Sequence, residues 1–384
     1  MDTLFVHDFF RKFTLNLLSG HVTMTRSDII SQRLHNQNLS ALGFETPADV
    51  VRWLGAVQAQ DFNGAKWALG LRMRKATSDS VENAFNKGEI LRTHLLRPTW
   101  HFVTPEDIRW MLKLTAPRVN VRCGPNYRKL ELDAEVFKRS NKALTRALKG
   151  GKFLTRSALR TVLNQAGVDA NDAIRVAHIL LRAELDGVVC SGPRMGKQFT
   201  YAWLEERVPS AKPLTRDEAL AEVTRRYFRS HGPATLQDFA WWSGLAATDV
   251  KRGVESLGKD LESLSIEGKI YWTASATKTR ATPATHLLPV FDEYFVAYKD
   301  RQTCFDPNDG LTTWDLLGPT ILINGTASGT WKRIDEKNSA TIFLTASKTL
   351  NRDLKHAIGK AVERYAAFLD IPVQSYFGDT SRRK

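Results

Sequence analysis

The segment AVQAQDFNG contains the side chains whose spacing first suggests chemistry. Gln58 and Gln60 are separated by one residue, and Asp61 follows directly. On a helix, residues two positions apart point in different directions. The two amides can therefore share a target only if the helix ends here and the backbone becomes extended. Residues 61–64 are poor helix continuers, so we expect one helix to end at the glutamines and another to begin at Ala65.

A glutamine pair can hold a water molecule but cannot act as a general base. A carboxamide offers two donors and two acceptor lone pairs without net charge, and it binds no proton near neutral pH. Such a pair is sufficient where the leaving group is already activated. A purine alkylated at a ring nitrogen such as N7 is cationic and leaves as a neutral base, so positioning a water is most of what remains. Asp61 could add a negative charge or act as a base, and it could equally be a solvated helix cap.

The charge of the chain favours an anionic partner. There are 55 Lys and Arg against 41 Asp and Glu, a formal charge of +14. Most of this excess lies in residues 109–160, which carry fourteen basic and three acidic side chains. Within that stretch Lys138, Lys142 and Arg146 follow helical spacing, with apolar residues on another face. These three are candidate contacts to the partner, and a solvated helix face is the alternative.

Other composition features narrow the class of protein. The three cysteines form no C-x-x-C pair and the 9 histidines form no ligand cluster, so we expect no disulfide, no metal and a reducing cytoplasm. No P-loop or dinucleotide fingerprint is present, and we expect no cofactor. No apolar run reaches the ~20 residues that span a membrane. Residues 1–23 are a poor signal peptide and are interpreted as an N-terminal extension with little structure.

One order of elements recurs three times, namely helices followed by two strands around a tight turn. It occurs in residues 24–110, 152–210 and 211–280, with residues 111–151 as a basic helical linker. Helix-turn-helix units that each carry a β-wing predict three tandem winged-helix domains. This fold binds DNA in many proteins and is a protein-interaction scaffold in others.

After the third repeat, strands dominate. Residues 281–384 contain a hairpin signal at Asn324-Gly325 and end in an amphipathic helix. We expect a small β-barrel-like domain closed by that helix. The predicted fold class is therefore α+β, with three tandem winged-helix domains followed by this last domain.

Three segments, in this order, resemble the AlkZ-like family of bacterial DNA glycosylases. They are QAQD, LRTHLLRPTWHFVTPEDIRWML (91–112) and LLPVFDEYFVAYKDR (287–301), and the resemblance covers roughly residues 25–375. The resemblance implies tandem winged helices with a small β domain. It also implies a Gln-x-Gln catalytic motif, which Gln58 and Gln60 match. The implied activity is monofunctional hydrolysis that removes alkylated bases, including N7-linked interstrand crosslinks.

Side chains near these segments are secondary candidates. Alternation in RPTWHFV places Arg97, Thr99 and His101 on one face, where Arg97 could contact DNA. His101 could support catalysis there, or it could be buried and bonded to the backbone. The remaining candidate DNA contacts are Lys66, Arg92, Arg194 and Lys197.

Two further groups of residues favour a structural interpretation. Asp292, Glu293 and Tyr294 match the β-domain motif of the family, and we expect them to anchor a strand by hydrogen bonds. Trp241 and Trp242 are expected in the core rather than as a base-stacking platform.

The sequence thus predicts a monofunctional DNA glycosylase that acts as a monomer on alkylated, cationic purines in double-stranded DNA. We expect it in the cytoplasm, associated with the nucleoid. A crosslinked base cannot be fully extruded, so an open cleft is expected. The alternatives are a non-catalytic winged-helix regulator or damage sensor, and a protein-interaction scaffold. Base release separates the glycosylase from the regulator, and salt-sensitive DNA binding separates the regulator from the scaffold.

Overall fold

A computed structural model describes residues 24–41, 43–208, 210, 213–274 and 282–378. The predicted N-terminal extension, residues 1–23, lies outside these ranges. Over the described residues the chain is a mixed α+β structure, as predicted.

The first unit packs four helices on a small antiparallel sheet. Its elements are α1 (Arg26–Asn36), α2 (Pro47–Leu54), β1 (Val57–Gln58), α3 (Phe62–Gly70), α4 (Ser78–Lys87), β2 (Leu91–His94) and β3 (Trp100–Val103). Side chains of Thr25, Thr46 and Thr77 cap α1, α2 and α4 by accepting backbone N–H groups. The strand order is β1-β3-β2, so the short strand that holds Gln58 pairs with the second strand of the hairpin.

Two basic helices follow, α5 (Pro105–Lys129) and α6 (Ala134–Leu148). Helix α5 is 25 residues long and continues through two internal prolines, so the predicted linker at residue 111 begins inside a helix. Helix α6 is amphipathic, as predicted. Its buried residues are Val136, Phe137, Ser140, Leu144 and Leu148.

The second and third units repeat the order of helices followed by two strands. The second contains β4 (Leu154–Thr155), α7 (Arg156–Gln165), α8 (Ala173–Leu185), β5 (Val189–Ser191), β6 (Thr200–Trp203) and α9 (Leu204–Arg207). The third contains α10 (Arg216–His231), α11 (Leu236–Ser243), α12 (Ala247–Leu257), β7 (Glu262–Ile266) and β8 (Lys269–Thr273). A turn at Glu267-Gly268 joins β7 and β8, with φ values of 50° and 74°.

The last unit is a sheet covered by a helix. It contains β9 (Thr285–Leu288), α13 (Glu293–Val296), β10 (Thr320–Ile323), β11 (Thr326–Asp335), β12 (Ala340–Ala346), α14 (Arg352–Leu369) and β13 (Val373–Phe377). The strand order is β13-β12-β11-β10-β9, so among the described residues the sheet is open and is not the predicted barrel. Asn324 and Gly325 form the predicted hairpin turn, both at positive φ.

The first unit packs directly on the last sheet, although the two are distant in sequence. The indole N–H of Trp67 donates to the Leu287 carbonyl at 2.7 Å. The same ring lies 4.8 Å from Tyr365 and 4.9 Å from Phe368, measured between ring centroids. A continuous apolar core therefore joins the two units and brings the residues after β9 next to β1.

Candidate active site

The chain becomes extended at the glutamine pair, which is the backbone change that a shared target requires. Helix α2 ends at Leu54, earlier than the predicted 58, and Gly55 follows at φ +84°. Strand β1 then carries Gln58, and α3 begins at Phe62, with Asp61 as its N-cap. The Asp61 Oδ1 atom accepts the Gly64 N–H at 2.5 Å, and this carboxylate is exposed. The cap interpretation of Asp61 is thus confirmed, and its other oxygen stays open to a role in the reaction.

Gln58 shares one face of its sheet with His101. The two residues are paired across β1 and β3, and Thr93 of β2 is paired with His101 in turn. Directly opposed residues project on the same side of an antiparallel sheet. The exposed fraction is 7% for Gln58 and 0% for His101, so both are part of the wall of the site rather than its rim.

His101 is held as a neutral ring. Burial lowers its pKa well below the usual value, and the nearby Arg97 charge acts in the same direction. Its Nδ1 atom lies 2.9 Å from the Thr99 carbonyl oxygen, which can only accept, so Nδ1 carries the proton. Nε2 is therefore an acceptor, and it has no protein partner among the described residues. The backbone-bonded interpretation of His101 is confirmed, and its low pKa makes it a poor base at neutral pH.

Backbone N–H groups orient both amides. Gln58 Oε1 accepts the Gln60 N–H at 3.1 Å, and Gln60 Oε1 accepts the Trp100 N–H at 3.4 Å. These donors assign the oxygen and nitrogen of each amide. No partner for either Nε2 atom occurs among the described residues. Each amide thus keeps an NH2 group and one oxygen lone pair for a ligand.

A buried carboxylate fixes the backbone of Gln58 from the far end of the chain. Glu293 is fully buried, and its Oε1 accepts the Gln58 N–H at 2.7 Å. Its Oε2 accepts the indole N–H of Trp242 at 3.1 Å and lies 3.5 Å from His231 Nε2. Glu293 therefore joins β1 to α10, α11 and the last unit at a single point.

The neighbours of Glu293 also make the anchoring contacts that the sequence predicted, on the short helix α13 rather than on a strand. Asp292 receives two hydrogen bonds from the buried Arg72 guanidinium, at 2.9 and 2.8 Å. The Tyr294 hydroxyl donates to the Gly325 carbonyl at 2.9 Å. The Arg72 bonds hold the start of α13 against the first unit, and the Tyr294 bond ties α13 to the β10–β11 turn of its own unit.

Arg92 faces inward and supports the second glutamine, so its prediction as a free DNA contact needs correction. Its guanidinium donates to the Ala59 carbonyl at 2.9 Å and to the Gln60 carbonyl at 3.4 Å. The guanidinium carbon lies 4.3 Å from the centre of the Trp100 ring and 4.6 Å from that of Phe199. Burial lowers the pKa of Arg92 to about 10. The Arg92 guanidinium thus binds the backbone of the glutamine motif instead of projecting into solvent.

Lys66 is also not a free cation, contrary to its prediction as a phosphate contact. It is buried, and its Nζ atom donates to Ser78 Oγ at 2.8 Å and to Glu82 Oε2 at 2.6 Å. The ion pair joins α3 to α4. Lys66 therefore has a structural role between two helices.

The turn between β5 and β6 carries the last two predicted contacts. Lys197 is exposed at its tip. Arg194 is half-buried, with its guanidinium carbon 4.4 Å from the Phe199 ring centre and 5.2 Å from that of Phe62. The turn thus reaches from the second unit to the motif of the first.

The predicted basic face of α6 is present as a solvated surface. Its three candidate contacts, Lys138, Lys142 and Arg146, are all exposed. The structure does not bring them into the glutamine site, and their contact with DNA stays a prediction.

Two contributors to the site were not predicted. They are the role of Glu293 as an acceptor for Gln58 and the cation–aromatic stack around Arg92. The segment LLPVFDEYF gave the only signal for the first. For the second, an arginine two residues before a histidine in a short strand gave none.

Two kinds of feature are absent from the described residues. No group of three or more His, Cys, Asp or Glu side chains that could hold a metal ion occurs in the described ranges. Likewise, no described helix is both long enough and apolar enough to cross a bilayer.

Comparison with known proteins places these features in a family. The family described as "DNA glycosylase AlkZ-like" matches residues 51–368, which is most of the chain. The chain is 26% identical over 362 residues to "Interstrand DNA cross-link repair glycosylase" of Streptomyces sahachiroi, covering 88% of this chain and 94% of that relative. The solved structure of Streptomyces sahachiroi DNA glycosylase AlkZ superposes with a TM-score of 0.77 at 19% identity. That match covers 93% of this chain and 100% of the other, and it establishes a common fold.

Proposed function

This chain belongs to the AlkZ-like family of DNA glycosylases, and on that premise we propose that Gln58 and Gln60 hydrolyse the N-glycosidic bond of N7-alkylated, cationic purines. We include purines joined in interstrand crosslinks, because the curated relative is named for crosslink repair. The observation that carries the proposal is the backbone-fixed orientation of both amides. That orientation leaves the NH2 group and one oxygen lone pair of each amide available to a ligand.

The proposed step is water attack on the anomeric carbon as the base departs. The C1′–N9 bond breaks, its electron pair neutralises the cationic purine, and the water oxygen forms the new bond to C1′. The amides hold this water by donating to one of its lone pairs and accepting one of its protons, so the second lone pair faces C1′. The exposed oxygen of Asp61 is the candidate acceptor for the released proton and a source of negative charge near the oxocarbenium. His101 has too low a pKa for that task.

Crosslink processing requires a site that a base can meet without complete extrusion. Gln60 is exposed, its neighbour Trp100 is half-buried, and so is Arg97 in the turn that precedes Trp100. These exposures support an open cleft rather than a closed base pocket.

The same proposal covers the way in which DNA is bound. The three repeats of helices followed by paired strands support three winged-helix units, in which helices and wings contact the duplex. The excess of basic side chains supports phosphate contacts. We propose that the protein acts as a monomer on nucleoid DNA in the cytoplasm.

The test is release of 7-methylguanine from methylated duplex DNA under single-turnover conditions. We expect Gln58→Ala to lower the rate about 100-fold and Gln60→Ala about 10-fold, as losses of positioning do. Affinity for DNA should stay near that of wild type. Exposed Gln374→Ala is the matched control, because it removes an amide far along the sequence.

Further measurements test the mechanism and the substrate. Hydrolysis in ¹⁸O-water should place the label on C1′ of the product, and borohydride should trap no covalent intermediate. A duplex joined through two guanine N7 atoms should be unhooked by the wild-type protein and not by Gln58→Ala. If wild type binds DNA and releases none of several alkylated purines, the proposed reaction is wrong.

A further inference from the structure

Four arginines from three parts of the chain lie together beside the glutamine site. Arg118 and Arg122 are on α5, Arg97 is in the turn between β2 and β3, and Arg301 follows α13. We call these four residues the arginine row. None of them forms an ion pair within 4 Å with a carboxylate of the described residues. Such a concentration of unpaired cations is costly unless an anion arrives from outside.

Two members of the row lie close to one exposed ring. The guanidinium carbons of Arg97 and Arg301 lie 5.7 and 5.8 Å from the ring centre of Trp241. A Cβ atom added at Gly244 would lie 3.8 Å from Arg122 Nη1 and 2.3 Å from the Leu96 carbonyl. Arg122 therefore approaches the turn that carries Arg97.

The helix extends the row by one more position. Arg118 precedes Arg122 by one turn of α5, so the two side chains share a face. The row thus runs from α5, across the first hairpin, to Arg301 in the segment that follows α13.

The guanidinium groups of the row have donors to spare. Arg97 donates only a long 3.4 Å bond to the Trp241 carbonyl, and Arg301 Nε donates to the Phe295 carbonyl at 2.9 Å. Arg301 Nη2 and Arg118 Nε are buried and have no protein partner among the described residues. Each guanidinium has five N–H donors in a planar fork that matches a phosphate.

Trp241 is a fixed part of this surface, although the sequence placed it in the core. Its neighbour Trp242 is fully buried, whereas 42% of Trp241 is exposed. The indole N–H of Trp241 donates to the Val296 carbonyl at 3.1 Å, which fixes the ring between Arg97 and Arg301. A rigid aromatic face between two cations fits a sugar flanked by phosphates.

The row is adjacent to the Gln58 scaffold. Burial lowers the pKa of Arg97, and the Glu293 carboxylate, which accepts the Gln58 N–H, opposes that shift. The Arg97 charge also lowers the pKa of His101, which is the partner of Gln58 across the sheet. An anion on the row therefore lies next to the residues that hold Gln58.

We propose that the arginine row binds the phosphodiester backbone of the DNA strand that carries the damaged base, an inference that rests on the proposed glycosylase function. Arg97 and Arg301 each hold one phosphate, one on either side of Trp241. The Trp241 ring packs against the deoxyribose between these two phosphates. Arg122 and Arg118 hold the next phosphate along the strand. This contact sets the register of the strand, so that its anomeric carbon comes to Gln58.

The experiment measures the salt dependence of binding to a duplex with a tetrahydrofuran abasic-site analogue. Arg122→Gln, Arg301→Gln and the double variant are compared with wild type by fluorescence anisotropy. Each lost phosphate contact should reduce the slope of log Kobs against log salt concentration by about 0.9. The double variant should therefore lose about 2 in slope. Arg352→Gln, which removes an exposed arginine at the start of α14, should leave the slope unchanged.

A wild-type slope in the double variant overturns the proposal. Arg122 is exposed, so Arg122→Gln alone keeps the test valid if the replacement at Arg301 prevents folding. Base release by the wild-type protein separates the two proposals. Release of 7-methylguanine with an unchanged variant slope refutes the arginine row alone. No release with a reduced variant slope refutes the proposed reaction and supports the row as a DNA site.

Discussion

The two glutamines are one residue apart, yet they are held by different parts of the molecule. Gln58 lies in a buried setting, where the Glu293 carboxylate accepts its N–H and His101 is its partner across the sheet. Gln60 is exposed, and its carbonyl is held by Arg92 in a stack with rings from the first and second units. The first side is a carboxylate network and the second is a cation–aromatic network.

This difference indicates how a neutral pair can be made precise. An amide has no charge to orient it, so its position depends on the backbone that carries it. In this chain, groups from all three repeated units and the last unit support the glutamine pair, the second through Arg92 and the third through Glu293. Removing a support should therefore slow the reaction without removing either amide.

The largest effect is expected on the Gln58 side. Glu293→Gln leaves one acceptor oxygen for two donors, the Gln58 N–H and the Trp242 indole N–H. We expect the single-turnover rate at saturating DNA to fall about 100-fold, as displacement of a positioned group does. Affinity for DNA should change little.

Two controls separate positioning from folding. Trp242→Phe removes the other donor to Glu293 and leaves the Gln58 bond, so it should lower the melting temperature but keep most of the rate. Exposed Glu363→Gln should change neither quantity. Equal loss of rate in Trp242→Phe and Glu293→Gln would mean that Glu293 acts through stability alone.

A smaller effect is expected on the Gln60 side. Arg92→Lys keeps the charge but loses the planar fork that bonds two carbonyls and stacks between Trp100 and Phe199. We expect about a 10-fold slower single-turnover rate, with Gln60→Ala adding little further in the double variant. Full additivity of the two substitutions would contradict a role for Arg92 through Gln60.

Acid should destabilise the fold through the buried histidines on the Gln58 side. Burial lowers the pKa of His101 and of His231. Below about pH 6.5 these histidines are therefore protonated in the unfolded chain before they are protonated in the folded protein. Stability is therefore complete above that pH and is lost as the pH falls. Between about pH 7 and pH 5.5 His101 should cost about 1 kcal/mol of unfolding free energy, and His231 should add a loss in the same direction.

Urea unfolding at the two pH values measures this loss. A His101→Gln variant should show a smaller pH dependence than wild type, by about the share of one histidine. His286, whose pKa burial lowers to about 4, adds a similar term outside the site and provides the comparison through His286→Gln. The same pH dependence in His101→Gln and wild type would show that His101 is protonated in the folded protein.

The smallest effect on the reaction is expected from the solvated face of α6. Replacing Lys138, Lys142 and Arg146 by Gln should weaken DNA binding and reduce its salt dependence, because these side chains are exposed. The rate at saturating DNA should not change. A lower rate at saturation would place α6 closer to the reacting atoms than its exposure indicates.

Local signals predicted much of the fold. Threonine caps mark the starts of α1 and α10. Glycine marks the hairpin turns at Glu267-Gly268 and Asn324-Gly325, where both residues of each turn have positive φ. The break at the glutamine pair was also predictable, because residues 61–64 favour a cap over a continued helix. The open sheet and strand β13 were not, since pairing between distant strands leaves no local pattern.

The backbone of the candidate site was predictable and its supports were not. The break in the helix before Gln58 and Gln60 and the cap at Asp61 follow from residue type and spacing. The contact between Gln58 and Glu293 joins residues 235 positions apart, which no local pattern encodes. Arg92 and Lys66 were assigned to DNA because a sequence shows a charge but not its partner, and both cations are occupied within the protein.

The central claim is that both amides hold the attacking water. A crystal structure bound to duplex DNA with a cationic pyrrolidine at the lesion, which mimics the oxocarbenium, measures this directly. The account predicts one ordered water about 3 Å from an amide atom of Gln58 and of Gln60, and about 3 Å from the anomeric position. A pyrrolidine ring bound elsewhere on the protein, or a water held without either amide, would contradict it.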